Sequence, residues 1–153
     1  FATTNEFHGV VLGLASNCHR GNYDVRLRGS IAFGSMDQVV AIRGRTGTFT
    51  PPDSVNVIGE GLYAQSTNIG LYAAEEFVVV PEFNAQVRWR LSCRLDLNVG
   101  YSVLYWTDVV QAGAQVDTTL DLNNPAATAR PAFNFNSNGY VVHGFNAGLT
   151  FRF

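Results

Sequence analysis

Seven charged side chains fall at even positions of three stretches: Asp24, Arg26 and Arg28; Glu82, Arg88 and Arg90; and Asp96. In an extended chain a spacing of two puts such residues on one face. Two kinds of chemistry suit that pattern. Charges lining a watery interior sort ions by sign, and basic side chains there favour anions. Alternatively, unlike charges pair across neighbouring strands and plug or rigidify the interior. Arg88, Arg90 and Arg94 lie close to the end of their stretches, where solvent can hold them. The other reactive residues form no constellation. His8, His19 and His143 share no ligand spacing, and no G-x-S-x-G or comparable nucleophile motif occurs. No catalytic residue, metal or cofactor is therefore expected. Cys18 and Cys93 lack metal-type spacing. Both fall near expected turns on one side, so a disulfide is open to them.

The elements that carry these charges alternate strictly. Tyr23, Val25, Leu27, Ile31 and Phe33 interleave with the first charged group. Phe77, Val79, Pro81, Phe83, Ala85, Val87, Trp89 and Leu91 interleave with the second, and Leu95, Leu97, Val99, Tyr101, Val103 and Tyr105 oppose Asp96 and its neighbours. At the end of the chain Phe145, Ala147, Leu149, Phe151 and Phe153 alternate with Asn146, Gly148, Thr150 and Arg152. This is the two-residue period of strands with one apolar and one polar face. Residues 6–18 form a weaker strand, with Val10, Leu12 and Leu14 on one side. Pro81 removes a ladder donor, which predicts an edge position, a bulge or a local break.

Bulk composition narrows the class. The chain has 153 residues, 14% charged and 46% hydrophobic, with a net charge of −2. Nothing in that balance suggests a nucleic-acid partner. No apolar run approaches the ~18–20 residues of a helical span. A mean hydropathy of +0.04 suits a β-barrel in a membrane, whose strand residues face lipid and a polar lumen in turn. The chain starts Phe1-Ala2-Thr3-Thr4, without Met, basic start or long apolar core. An exported barrel needs a signal peptide, so the sequence is expected to be a mature or trimmed chain, the alternative being that the barrel reading fails.

Long and short connections alternate as well. Turns near residues 20 and 92 are short, while 49–75 and 108–138 are long loops rich in Gly, Ala, Asn and Pro. With the C-terminus periplasmic, both long loops are outside, and residues 22–48 make one upward passage rather than a hairpin at Gly34-Ser35. Met36 to Thr48 then projects beyond the bilayer as extended strand. The expected fold is thus all-β: an antiparallel up-and-down transmembrane β-barrel, of which residues 1–153 supply five passages. Barrels need about eight strands or more. The favoured resolution is that these are the C-terminal strands of a larger barrel. Several chains building one barrel, or strands concealed in the loops, are the alternatives.

On the apolar face Tyr23, Trp89, Tyr101, Tyr105, Phe151 and Phe153 lie near strand ends, where girdle aromatics sit at the headgroup level. Trp106 falls on the opposite face, where it can pack under a loop. A soluble up-and-down barrel binding an apolar ligand would instead turn the odd-numbered set inward. The direction of Val25, Leu27, Phe83, Val87, Leu97 and Val99 separates the two.

Several landmarks recur together: Thr67-Asn68-Ile69-Gly70 with Tyr72, Phe77 to Glu82, Gly100-Tyr101 through Leu104-Tyr105-Trp106, Gly113 to Asp117, Arg130-Pro131-Ala132-Phe133, and Gly144 to Phe153. In this order and spacing the chain resembles the β-barrel porin-7 family, a group of outer-membrane proteins known mainly from planctomycete bacteria. The stretch 111–117 carries fewer charges than that family usually has there. The resemblance implies a bacterial outer-membrane location and barrel architecture, with the lipid bilayer as surroundings, and supplies no ligand. The alternating strands and loop asymmetry lead to an expectation of passive passage of small solutes through a polar lumen, and the low charge of the long loops to an alternative, a barrel anchor whose loops bind a protein partner or a second copy. Phe153 matches the terminal aromatic that the outer-membrane assembly machinery recognises in barrels.

Overall fold

The computed structural model describes residues 1–51, 54–121 and 129–153. Pro52 of the Pro51-Pro52 pair and residues 122–128 of the second long loop lie outside these. Five long strands form one sheet: β1 (Ala2–Arg20), β2 (Tyr23–Ile42), β5 (Gly70–Arg90), β6 (Leu95–Val110) and β7 (Ser137–Phe151). Their order is β1-β2-β5-β6-β7, an up-and-down meander with β1 and β7 at its edges. The sheet is open among the described residues. Two short strands, β3 (Thr46–Thr50) and β4 (Ser54–Ile58), pair antiparallel as a separate hairpin. The expected loop at 49–75 therefore contains strand: the hairpin, which adds nothing to the main sheet, and residues 70–75, which are the start of β5. No helix among the described residues is long and apolar enough to cross a membrane.

Each of the five strands exceeds the ~9–11 residues that a tilted span requires; the shortest, β7, has 15. β2 runs unbroken through Gly34-Ser35 as one passage. It ends at Ile42, however, short of the extension to Thr48, because the chain turns at 43–45 into the hairpin. Gly34 permits the close β1–β2 approach, since a Cβ there would meet the His8 carbonyl and Gly9 Cα, both backbone. Gly21, between β1 and β2, holds φ +59°, a left-handed conformation in which glycine has no Cβ penalty.

β5 and β6 pair from Glu82↔Leu104 to Arg90↔Asp96. Beside Pro81 the Val79 N–H donates to Thr107 Oγ1 at 3.2 Å. Two residues before the proline a side-chain hydroxyl thus accepts from the ladder in place of a backbone carbonyl. β5 is nonetheless central, so the proline does not mark an edge.

By contacts the chain divides into two compact units. The first comprises residues 1–6, 36–76 and 109–138. Its core is Val40, Ile42, Ala64 and Val110, with Ile69, Tyr72, Phe133 and Phe135 packed against it. The even side of β2 is buried here at Met36, Gln38, Val40 and Ile42. Tyr72 and Phe133 stack with centroids 3.6 Å apart, and Phe135 meets Phe133 edge-on. Polar groups tie the loops together. Thr67 Oγ1 donates to Pro131 O at 2.7 Å. The buried Gln115 amide donates to Asn136 O at 2.6 Å and accepts from Asn136 N at 3.1 Å. Asp117 accepts from Arg130, Ala132 N and Thr119 N. These donors hold its carboxyl well below the usual carboxylate range.

The second unit comprises residues 7–35, 77–108 and 139–153, nearly all strand. Phe7 and Trp106 meet edge to face with centroids 5.6 Å apart. Their strands, β1 and β6, stand three places apart in the sheet. At ~4.8 Å per strand a flat sheet would separate them by roughly 14 Å. The sheet of this unit therefore curls, and the face carrying Phe7 and Trp106 is concave. Trp106 packs on another strand rather than under a loop.

Candidate functional site

The concave face is the polar one. Trp106 shares its side of β6 with Asn98 and Asp96, and Phe7 shares its side of β1 with Asn17 and His19. Alternation along β2 and β5 brings Asp24, Arg26, Arg28, Glu82, Arg88 and Arg90 to the same face, since cross-strand bonds join them to these residues. Asp24 is bonded to His19, Arg26 Nε donates to Asn17 Oδ1 at 3.1 Å, and Arg88 Nε donates to Asn98 Oδ1 at 3.1 Å. Ser30 Oγ donates to the Glu82 carboxylate at 3.2 Å. Arg152 donates to Asp96 at 2.6 Å, and Asp96 is buried. The side chains of Arg28 and Arg90 are exposed and bond to no described residue. Arg90 contributes its backbone N–H, which donates to Asn22 O at 2.8 Å.

The hydrogen bonds of these charges thus go chiefly to neutral or weakly basic neighbours. Asp96 and Arg152 join a permanent cation to a permanent anion on this face. Arg152 falls on the polar positions of the final strand, but as Asp96's partner it was missed. So were Asn17, His19 and Asn98. Asn17 and His19 lie at the end of the weakest strand, whose expected end at residue 18 placed His19 in a turn. The signal that could have found them is parity: both are odd-numbered in β1, opposite its apolar even-numbered set.

The opposite face is apolar and outward. Leu14, Phe145 and Leu149 are 85%, 71% and 69% exposed. None of Val25, Leu27, Phe83, Val87, Leu97 and Val99 is buried. Of the six aromatics named at strand ends, Tyr23 and Trp89 stack across β2 and β5, centroids 5.4 Å apart at 19°. Tyr101 tilts against His143, while Tyr105, Phe151 and Phe153 are exposed. Cys18 and Cys93 are exposed free thiols.

The family model described as Putative beta barrel porin-7 matches residues 1–153. The chain belongs to this family. The β-barrel porin family and the five-stranded antiparallel meander agree on the fold class: all-β, of the up-and-down barrel type. No curated protein and no solved structure matches the chain. For this porin-family chain, the concave polar face is the candidate site.

Proposed function

We propose that this chain forms part of an outer-membrane β-barrel that passes small solutes passively through a polar lumen. Curvature carries the reading: the Phe7–Trp106 contact puts the charged set on the inside of the curl and the Leu, Val and Phe side chains on its outside. A sheet in lipid must satisfy every backbone donor and acceptor laterally, which is what the meander does between neighbours. Tyr23, Trp89, Tyr101, Tyr105, Phe151 and Phe153 serve as the interfacial girdle, and Phe153 is the terminal residue read by the assembly machinery. Asp24, Arg26, Arg28, Glu82, Arg88, Arg90 and Asp96 line the lumen. The loops 49–75 and 108–138 are outside, where they can meet a protein partner. The protein is not a catalyst in this reading.

The test is reconstitution of the full-length protein into planar bilayers, alongside membrane fractionation of the native protein. Detergent-dependent solubility with stepwise conductance supports the proposal. Detergent dependence without conductance leaves an anchoring role. A native protein that stays in solution without detergent sinks the membrane reading and favours a soluble barrel with an apolar ligand.

A further inference from the structure

We propose that the concave face holds a binding site for a small phosphate- or carboxylate-type anion, built by Arg26 and Arg88. The two arginines line one cavity of about 280 Å³, together with Asn17, His19, Asp24 and Gln86. Its passage-related consequence rests on the pore reading above; the site itself rests on geometry alone.

Register explains why the two guanidinium groups share a cavity. Arg90 N donates to Asn22 O, and Ser30 pairs with Glu82. Both pairs fit one β2–β5 register, which sets Arg26 opposite Gln86 and diagonal to Arg88, and sets Asp24, the competing carboxylate, directly opposite Arg88. Diagonal neighbours stand roughly 7–8 Å apart, a span that two long side chains close onto one small ion.

The way each arginine is held matters more than its charge. Arg26 uses Nε toward the Asn17 carbonyl, and Arg88 uses Nε toward the Asn98 carbonyl. A neutral amide orients the planar fork without cancelling its charge. Of the five N–H donors in each guanidinium, the Nε–H is used and the terminal amino groups bond to no described residue. Those are the donors that grip carboxylate and phosphate oxygens bidentately. Asp24, the carboxylate in the cavity, is bonded to His19. Arg28, also on this face, adds positive charge; Arg88 and Arg90 act electrostatically on Asp24.

The experiment titrates inorganic phosphate into the full-length protein in detergent, followed by calorimetry. Saturable binding is expected. Arg26→Gln combined with Arg88→Gln should weaken it at least tenfold, and Asp24→Asn should tighten it by removing the competing carboxylate. The two changes act with opposite sign, which a general loss of folding would not produce. Absence of saturation, or equal binding by wild type and the double variant, overturns the site. In bilayers under a KCl gradient, the reversal potential should show anion preference that the double variant loses. Phosphate binding in a protein that carries no current would keep the site while removing the pore. A current without anion preference, in a protein that does not bind phosphate, would do the reverse.

Discussion

Asn5 and Val110 are joined by two hydrogen bonds between a side chain and a backbone. Asn5 Nδ2 donates to Val110 O at 3.0 Å, and Val110 N donates to Asn5 Oδ1 at 2.9 Å. A carboxamide has the donor and acceptor layout of a peptide group, so it completes the end of β6 as a neighbouring strand would. Val110 is buried in the core of its unit, where unpaired backbone groups are costly. Asn5→Ala should destabilise the protein by on the order of 2 kcal/mol, from two buried groups left unmatched. Asn5→Asp, which keeps only the acceptor, should fall between. Urea unfolding in detergent measures this, and a midpoint unchanged in Asn5→Ala would refute it.

The same unit should respond to acid through Asp117. Its carboxyl is held below the ordinary range by the Ala132 amide, the Arg130 guanidinium and the Thr119 amide, in that order. A carboxylate with a depressed folded-state pKa stabilises fully above the unfolded value, near 3.9, and loses that contribution as pH falls through the folded one. The contacts of Asp117 with Thr119, Arg130 and Ala132 should hold at neutral pH and loosen only in strong acid. Asp117→Asn should loosen them at pH 7 and flatten the acid response. Amide exchange at Ala132 and Thr119 as pH is lowered reads this directly; protection lost already near pH 6 would contradict it.

On the sheet, the Asp96–Arg152 pair should anchor the last strand. Asp96 is 3% exposed at its side chain and Arg152 is 54% exposed, so solvent screens half the pair. Arg152 also donates its N–H to Arg94 O at 2.8 Å. Arg152→Leu leaves a buried carboxylate with no cation and should cost about 2 kcal/mol, less than a fully buried pair. Asp96→Asn together with Arg152→Leu should recover part of the loss. Thermal unfolding of the single and double variants gives the coupling, and strictly additive effects would show that the contact is incidental.

Direction of the two faces predicts opposite tolerance to charge. Phe145→Arg, on the outward apolar face, should cost ~2–4 kcal/mol if its strand crosses lipid near the midplane. Asn84→Arg, on the polar face, should be nearly neutral. Folding from urea into lipid vesicles compares them. Equal costs would argue against lipid on the apolar side.

Trp89 offers a depth gauge. In a Trp106→Phe background its fluorescence should be quenched most by lipids brominated close to the headgroups, as for an interfacial aromatic. Quenching strongest by lipids brominated at the chain ends would move it to the bilayer centre and remove it from the girdle. Quenching by aqueous iodide alone would place it in water.

The five strands, the unbroken run of β2 through Gly34-Ser35 and the two tight turns were legible in the residues because alternation is local: each pair of residues in an extended chain states its own face. The ordered landmarks from Thr67 to Phe153 carried the family for the same reason. Three things needed the tertiary structure. Which face is concave depends on Phe7 meeting Trp106, 99 positions away along the chain, and curl has no sequence period. The partners of the charges depend on register between strands, so neutral Asn17 and Asn98 looked unremarkable until pairing put them on Arg26 and Arg88. The loops, read as irregular, contain a hairpin, and Ala64, Ile69, Phe133 and Phe135 pack from them onto the strand residues Val40, Ile42 and Val110, separate segments with no shared spacing. Alternation along one strand is a property of its own backbone; curvature, register and loop packing are relations between segments, and only the folded chain brings those together.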